Sequence, residues 1–290
     1  MIELTDQILT QVITPRQPET HKGNYGRVLV IGGAKLYGGA GILSASAALL
    51  TGAGLITLAS DAVNRNALHA RHPEIMFLDW ADTATLLDLI KQGDVIVIGP
   101  GLGLDATAQD LLNLTLSHVH AMQTLIVDGS ALTLIAEQQI DLDCPAQIIL
   151  TPHQEEWHHL AKIEIAKQTP ATNQKVLAEK FPATTILVLK QHRTEIYANG
   201  EIYQNTSGTA AMATGGMGDT LTGILAALIA QFKAPLSATL AGVYLHGLAG
   251  QLIGEEQYVA LPSDLIEQVS GLMKKYSEIT EQQSKVGFIN

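Results

Sequence analysis

Six short runs in this chain are apolar almost from end to end: Arg27-Val-Leu-Val-Ile31, Leu55-Ile-Thr-Leu-Ala59, Asp94-Val-Ile-Val-Ile98, Thr124-Leu-Ile-Val127, Gln147-Ile-Ile-Leu150 and Thr185-Ile-Leu-Val-Leu189. A strand with one face in water alternates apolar with polar residues, so runs without alternation need cover on both faces. The segments between them, such as 84–91, 106–117 and 172–180, carry apolar residues at helical spacing. Strand and helix in alternation with short links build a mostly parallel sheet between two layers of helices. The expected fold class is therefore α/β, a three-layer α/β/α sandwich. One segment departs from the pattern. Glu195-Ile-Tyr-Ala-Asn-Gly-Glu-Ile-Tyr203 alternates about Asn199-Gly200, the signature of a type I′ hairpin, and this antiparallel pair is expected at one edge of the sheet. Beyond Asp219 the pattern is helical to about Tyr276. No repeat, linker or low-complexity stretch interrupts the 290 residues, so residues 1–290 read as a single domain.

Composition limits what such a sandwich can bind. Apolar residues make up 47% of the chain and aromatics only 4%, which suits small residues packing helices closely onto a sheet. A formal charge of −11 argues against nucleic acid or an anionic membrane as partner, because both need a basic face. Nucleotide phosphates would have to be held locally, by backbone amides, a few cations and Mg²⁺. Cys144 is the single cysteine; no internal disulfide can form, which fits a reducing cytosol. Met1-Ile-Glu-Leu-Thr-Asp6 is acidic and not basic-then-apolar, so no secretory signal is read and a cytoplasmic location is expected. No charged side chain occurs from 36 to 60, yet Gly52-Ala-Gly54 divides that stretch. Its parts read as a buried helix (about 39–51) and a buried strand (55–59), each short of the roughly 20 apolar residues of a membrane span.

The chemistry concentrates at Ala213-Thr-Gly-Gly-Met-Gly-Asp-Thr-Leu-Thr-Gly-Ile-Leu-Ala-Ala-Leu228. Glycine lets backbone amides approach a ligand closely. A helix N-terminus has unpaired N–H groups and partial positive charge, which together favour an anion such as phosphate. A carboxylate beside phosphate is unfavourable, so Asp219 needs a reason to be there. It has one if it accepts a proton from a substrate hydroxyl attacking phosphorus. The plain alternative is a helix N-cap, a role Asp often fills.

Open α/β sheets bind ligands at the carboxyl ends of their strands. Gly99-Pro-Gly-Leu-Gly103, Asp128-Gly129, Thr151-Pro-His-Gln-Glu155 and Lys190 all follow strands at that edge, and the glycine–aspartate turn comes after the hairpin. One composite site would gather them. Familiar alternatives are absent. Gly33-Ala-Lys-Leu-Tyr-Gly38 has Walker-like spacing, but Gly39-Ala40 stands where Lys-Ser/Thr is required, and no G-x-G-x-x-G occurs. No Cys/His set has zinc spacing, and His153, His158 and His159 are not expected to bind metal.

Assembled, these residues resemble the ADP/ATP-dependent NAD(P)H-hydrate dehydratases, a branch of the ribokinase-like superfamily. The resemblance spans nearly the whole chain. It rests on His21-Lys-Gly-Asn-Tyr-Gly-Arg-Val-Leu-Val-Ile-Gly-Gly33, Tyr37-Gly-Gly-Ala40, residues 47–54, Gly99-Pro-Gly-Leu-Gly103, Thr151-Pro-His153, Leu189-Lys190 and Met212-Ala-Thr-Gly-Gly-Met-Gly-Asp219. Gly-Pro-Gly-Leu-Gly combined with Gly-Gly-x-Gly-Asp marks the branch; the second motif alone marks the superfamily.

The resemblance implies a ribokinase-like sandwich and a repair lyase that turns NADH or NADPH hydrate back into the dinucleotide. ADP or ATP with Mg²⁺ would phosphorylate the C6 hydroxyl of the hydrate, and phosphate would then leave. By the same resemblance Asp219 is the base, and Gly218 presents an amide to the transferred phosphate. Ala40, Gly101, Gly103 and His153 line the hydrate pocket with Asp219. Lys190, Gln191, His192, Arg193 and Thr194, together with Gly216 and Gly218, hold the nucleotide. No residue is assigned to a metal. A homotetramer is implied, as is a functional link to a separate NAD(P)H-hydrate epimerase, since the epimerase domain fused upstream in some members has no counterpart in this sequence. Three stretches depart from the family pattern: Lys190-Gln191 lacks the usual Lys-Gly, Gly208-Thr-Ala-Ala-Met212 replaces Gly-Asn-x-Gly-Met, and Asp128-Gly-Ser-Ala-Leu132 replaces Asp-Ala-Asp-Ala-Leu. A ribokinase-type kinase for a hydroxymethyl-pyrimidine or a thiazole would use the same glycine–aspartate turn. A catalytically silent nucleotide sensor would keep the fold but has no use for Asp219.

Overall fold

Ten strands form one sheet in the computed structural model, which describes residues 1–287. They are β1 (Ile2–Glu3), β2 (Arg27–Ile31), β3 (Leu55–Ser60), β4 (Met76–Asp79), β5 (Val95–Ile98), β6 (Thr124–Val127), β7 (Gln147–Leu150), β8 (Ile186–Leu189), β9 (Glu195–Ala198) and β10 (Glu201–Gln204). The order across the sheet is β4-β3-β2-β5-β6-β7-β8-β9-β10-β1. From β4 to β8 every pairing is parallel. The six apolar runs are all strands. β9 and β10 form the expected antiparallel hairpin, with Asn199 at φ 52° and Gly200 at φ 80°, the two positive φ values a type I′ turn requires. The hairpin lies one place in from the edge, because the two-residue β1 pairs in parallel beyond β10.

Lack of alternation in the strands has the predicted consequence. Val28, Val30, Val95, Val97 and Ile126 face one core, while Leu29, Ile31, Ile96, Ile98 and Leu125 face another. The first core is covered by α1 (Gln7–Val12), α2 (Gly38–Leu50) and α3 (Arg65–Arg71), and by the three C-terminal helices α9 (Met217–Phe232), α10 (Pro235–Glu256) and α11 (Pro262–Gly287). The second lies under α4 (Thr83–Gln92), α5 (Ala106–His118), α6 (Gly129–Gln138), α7 (Gln154–Ala161) and α8 (Pro170–Lys180).

The charge-free stretch after residue 36 is α2 followed by β3, both packed in the core. Among the described residues α10 is long and apolar enough to cross a membrane, but 67% of its apolar window is buried inside the protein. α2 and α9 pack closely because small residues meet: a Cβ on Gly223 would lie 2.1 Å from the Ser44 carbonyl oxygen and 2.7 Å from Ala47 Cβ. Ser44 and Thr222 share a buried hydroxyl contact of 3.0 Å at the same crossing. Cys144 is half-buried and its thiol is pushed up by burial, which fits a structural residue.

Candidate active site

Strand order reverses at β2, with β3 and β4 running outward on one side and β5 to β8 on the other. Such switch points open a crevice at the carboxyl ends of the strands. Two glycine loops meet there. Gly33 N–H donates to the Pro100 carbonyl at 2.8 Å, and Ala34 N–H to the Gly101 carbonyl at 2.6 Å. Gly101 takes φ +59°, and a Cβ on it would come within 2.9 Å of Ala40 Cβ and 2.4 Å of the Tyr37 carbonyl oxygen. Gly103 N–H donates to Ser130 Oγ at 3.2 Å. The loop after β5 is thus pinned between the start of α2 and the start of α6.

A charged cluster sits beside this crevice. Lys190, just past β8, places Nζ 2.6 Å from Asp128 Oδ1 and 4.0 Å from Glu156 Oε2. Asp128 is buried and also accepts the Thr151 hydroxyl at 2.7 Å, on the same Oδ1. Burial alone would lower the Lys190 ammonium, but Asp128, Glu156 and Asp219 outweigh it and hold it above its ordinary range. Over this cluster α9 begins. Its N-cap is Gly216, at φ +95° and with no side chain to cap the helix. Asp219 is therefore the third residue of the first turn and not its cap. Gly218 faces the cluster, since a Cβ placed on it would lie 3.2 Å from Lys190 Nζ and 3.9 Å from Asp128 Oδ2. Burial, reinforced by Asp128 and Glu156 and opposed by Lys190, pushes the Asp219 carboxyl up to about 7. An acid with that pKa exchanges protons readily near neutrality, as a general base requires.

Next to the cluster opens a cavity of about 540 Å³. Its walls include Lys190, Gln191, His192 and Thr194 on one side, and Met217, Gly218 and His246 on the other. The segment from Asn205 to Ala213 supplies a third wall. Apolar surface with a few polar groups is what a heterocyclic ligand needs. His153 also reaches this cavity. It caps α7: its Nδ1 accepts the Glu155 and Glu156 amides at 3.2 Å each, and its own N–H donates to Glu156 Oε2 at 2.8 Å. That capping box holds Glu156 beside Lys190.

The family model of the NAD(P)H-hydrate dehydratases matches residues 28–270. The chain belongs to the NAD(P)H-hydrate dehydratase family. An Enterococcus faecalis protein described as an ADP-dependent (S)-NAD(P)H-hydrate dehydratase is 46% identical over 275 residues, covering 95% of this chain and 94% of that protein. A crystal structure of a ribokinase-like superfamily protein from the same organism matches with a TM-score of 0.92 and 45% identity, over 95% of this chain and 96% of that one. An ADP/ATP-dependent NAD(P)H-hydrate dehydratase from Bacillus subtilis, co-crystallised with ATP and Mg²⁺, is 24% identical with a TM-score of 0.81, covering 95% and 98%; this last likeness concerns the fold.

The residues that the dehydratase resemblance picks out fall into two neighbouring groups. Ala40, Gly101 and Gly103 lie at the switch point. Lys190, Gln191, His192, Thr194 and Gly218 line the cavity, with His153 among them. Asp219 stands next to Gly218 in the first turn of α9. Arg193 is exposed and Gly216 sits under the turn against Leu43 and Pro262, both outside the lining of the cavity. Sequence reading does not reach Glu156 or His246. For Glu156 the signal was the spacing, an acid three residues after a capping residue. For His246 it was an imidazole alone in a helix with no Lys, Arg, Asp or Glu from 235 to 254. Glu155, His158 and His159 offer one ligand atom each within 4.8 Å of one another on α7; His153, expected with His158 and His159 to have no metal role, is not among them.

Proposed function

We propose that this chain restores NADH and NADPH from their hydrates, spending ADP or ATP. The observation that carries the reading is one arrangement: an uncapped, glycine-rich helix start facing a clamped lysine, with a buried carboxyl poised near neutrality in its first turn. Asp219 takes the proton of the C6 hydroxyl as that oxygen attacks the terminal phosphorus, and AMP or ADP departs. Lys190 and the Gly218 amide meet the charge that develops on the phosphoryl oxygens, where preorganised donors act most strongly. Hydroxide is a poor leaving group and phosphate a good one. The lone pair of the ring nitrogen expels phosphate by breaking the C6–O bond, and loss of a C5 proton restores the C5–C6 double bond.

Mg²⁺ fits the donors present. Asp128 and Glu156 offer the hard carboxylate oxygens this ion takes, and Asp128 Oδ2 makes no hydrogen bond among the described residues. When bound, the ion would neutralise part of the phosphate charge. The crevice with Ala40, Gly101 and Gly103 takes the hydrate, and the cavity bounded by 190–194 takes the nucleotide. We read the chain as one domain acting in the cytoplasm, assembled as a homotetramer and supplied by a separate epimerase.

The test is direct. Purified protein is mixed with NADPH hydrate, ADP or ATP, and Mg²⁺, and the absorbance band of reduced nicotinamide is followed. Its return, with one phosphate released per turnover, is the expected result. A stable phosphorylated product from a hydroxymethyl-pyrimidine or a thiazole, with no return of that band, would assign a kinase instead. Nucleotide binding with neither reaction would leave a sensor.

A further inference from the structure

His246 lies in α10, buried, with one face on the cavity. Its Nε2 is 3.1 Å from Thr220 Oγ1, and Thr220 Oγ1 in turn donates to the Met217 carbonyl at 2.9 Å. With the one hydroxyl proton directed to the Met217 carbonyl, the ring's part in the contact is that of donor, through hydrogen on Nε2. Burial pushes the ring down to about 4, with the Met217 carbonyl opposing and the Lys190 charge adding to the fall, so the donor is neutral at physiological pH. Next to it Gly247 packs so tightly that a Cβ would lie 2.2 Å from Ser207 Oγ, and that hydroxyl donates to the Tyr244 carbonyl at 2.8 Å. One turn of α10 thus grips two walls of the cavity.

The first turn of α9 needs outside support. Gly215, Gly216 and Gly218 have no side chains with which to anchor the turn, the N-cap makes no side-chain bond, and helix ends without caps fray. An apolar residue would fill the position of His246 at lower desolvation cost, so the imidazole serves a directional purpose. We propose that His246 is a positioning residue for phosphoryl transfer: through Thr220 and Met217 it fixes the first turn of α9, and with it the aim of the Gly218 amide and the Asp219 carboxylate. This rests on the functional reading above.

The test compares His246→Leu, His246→Gln and Thr220→Val in the full chain with NADPH hydrate and ADP. A displacement of about 1 Å at a reacting group costs on the order of 10²-fold. His246→Leu is expected to lose about that much kcat while KM for both substrates stays within a factor of two or so. His246→Gln places an amide N–H where Nε2 was and should recover most of the loss. Thr220→Val should match His246→Leu, and the double variant should be no worse than either, as for two links of one chain. Amide exchange gives an answer independent of turnover. The Thr220 amide, which donates to the Gly216 carbonyl at 3.1 Å, should exchange faster in His246→Leu and at the wild-type rate in His246→Gln. Unchanged kcat with a raised nucleotide KM, additive single effects, or unchanged exchange would each overturn the proposal. Should the wild type fail to dehydrate the hydrate, the functional reading falls and exchange alone still decides the role of His246. If His246→Leu does not fold, Thr220→Val carries the same comparison.

Discussion

In the proposed function the chemistry centres on Asp219, whose buried carboxyl also ties folding stability to pH. Asp219→Asn keeps the shape but cannot take a proton, so kcat should fall by about 10²- to 10⁴-fold, the usual worth of a general base. Nucleotide affinity should hold or rise, since a negative charge beside the phosphates is gone. The same substitution has a pH signature. A carboxyl raised in the folded state to about 7 adds stability that is complete below its unfolded value and is lost as pH rises through 7. Above pH 7 the wild type therefore carries an ionised, partly desolvated group that the asparagine variant lacks. The melting temperature of the variant should exceed that of the wild type at pH 8, and the gap should close towards pH 4. Calorimetry across that range checks it; a gap that widens on acidification would reverse the sign. Ala40→Leu probes the other group. Its side chain would grow towards Gly101, which already sits as close as backbone allows. The expected result is a raised KM for the hydrate with nucleotide affinity unchanged, measured by steady-state kinetics and titration.

At the scale of elements, the position of the active turn is set by how closely α9 approaches α2. Gly223→Ala would push a methyl onto the Ser44 carbonyl. Overpacking of this kind costs about 1–3 kcal/mol, so chemical denaturation should show a loss in that range. Activity should drop with it, because α9 carries Gly218 and Asp219. The strands under these helices were legible because each is apolar throughout and needs no neighbour to announce itself. β4 was not: Met76 is exposed and Asp79 closes the run, so its four residues show neither unbroken apolarity nor clean alternation. β1 has only two residues, too few for any periodicity. α7 reads Gln-Glu-Glu-Trp-His-His-Leu-Ala, where a polar face outweighs the stripe around Trp157. In the site, glycine turns and Asp219 were readable because turn chemistry is local. That Asp128, Lys190 and the Asp219 turn share one edge was readable too, since each follows a strand at its carboxyl end; Glu156 and the direct contacts of Lys190 with Asp128 and Glu156 were not, because they form only when separate elements meet. Lys190 was read as a holder of nucleotide; its clamp between two carboxylates is a tertiary fact.

For the whole molecule, ligand and fold should be linked. A nucleotide that binds only the folded state stabilises it by about 2.7 kcal/mol at a hundred times its Kd. ADP with Mg²⁺ should therefore raise the melting temperature in a saturable way. A chelator should remove most of that rise and abolish turnover; full turnover in excess chelator would refute the need for the ion. The far end of the sheet has a bearing on the same site. β1 is held to β10, the Leu4 N–H donates to the Gln204 carbonyl, and Thr206 Oγ1 donates to the Leu4 carbonyl. The segment that continues from there, Asn205 to Ala213, is the third wall of the cavity. The opening residues are thus tied to a wall of that cavity although they lie at the outermost strand. Whoever shortens the chain by its first five residues, or fuses a bulky partner to Met1, will be disturbing a wall of that cavity as well as trimming an edge.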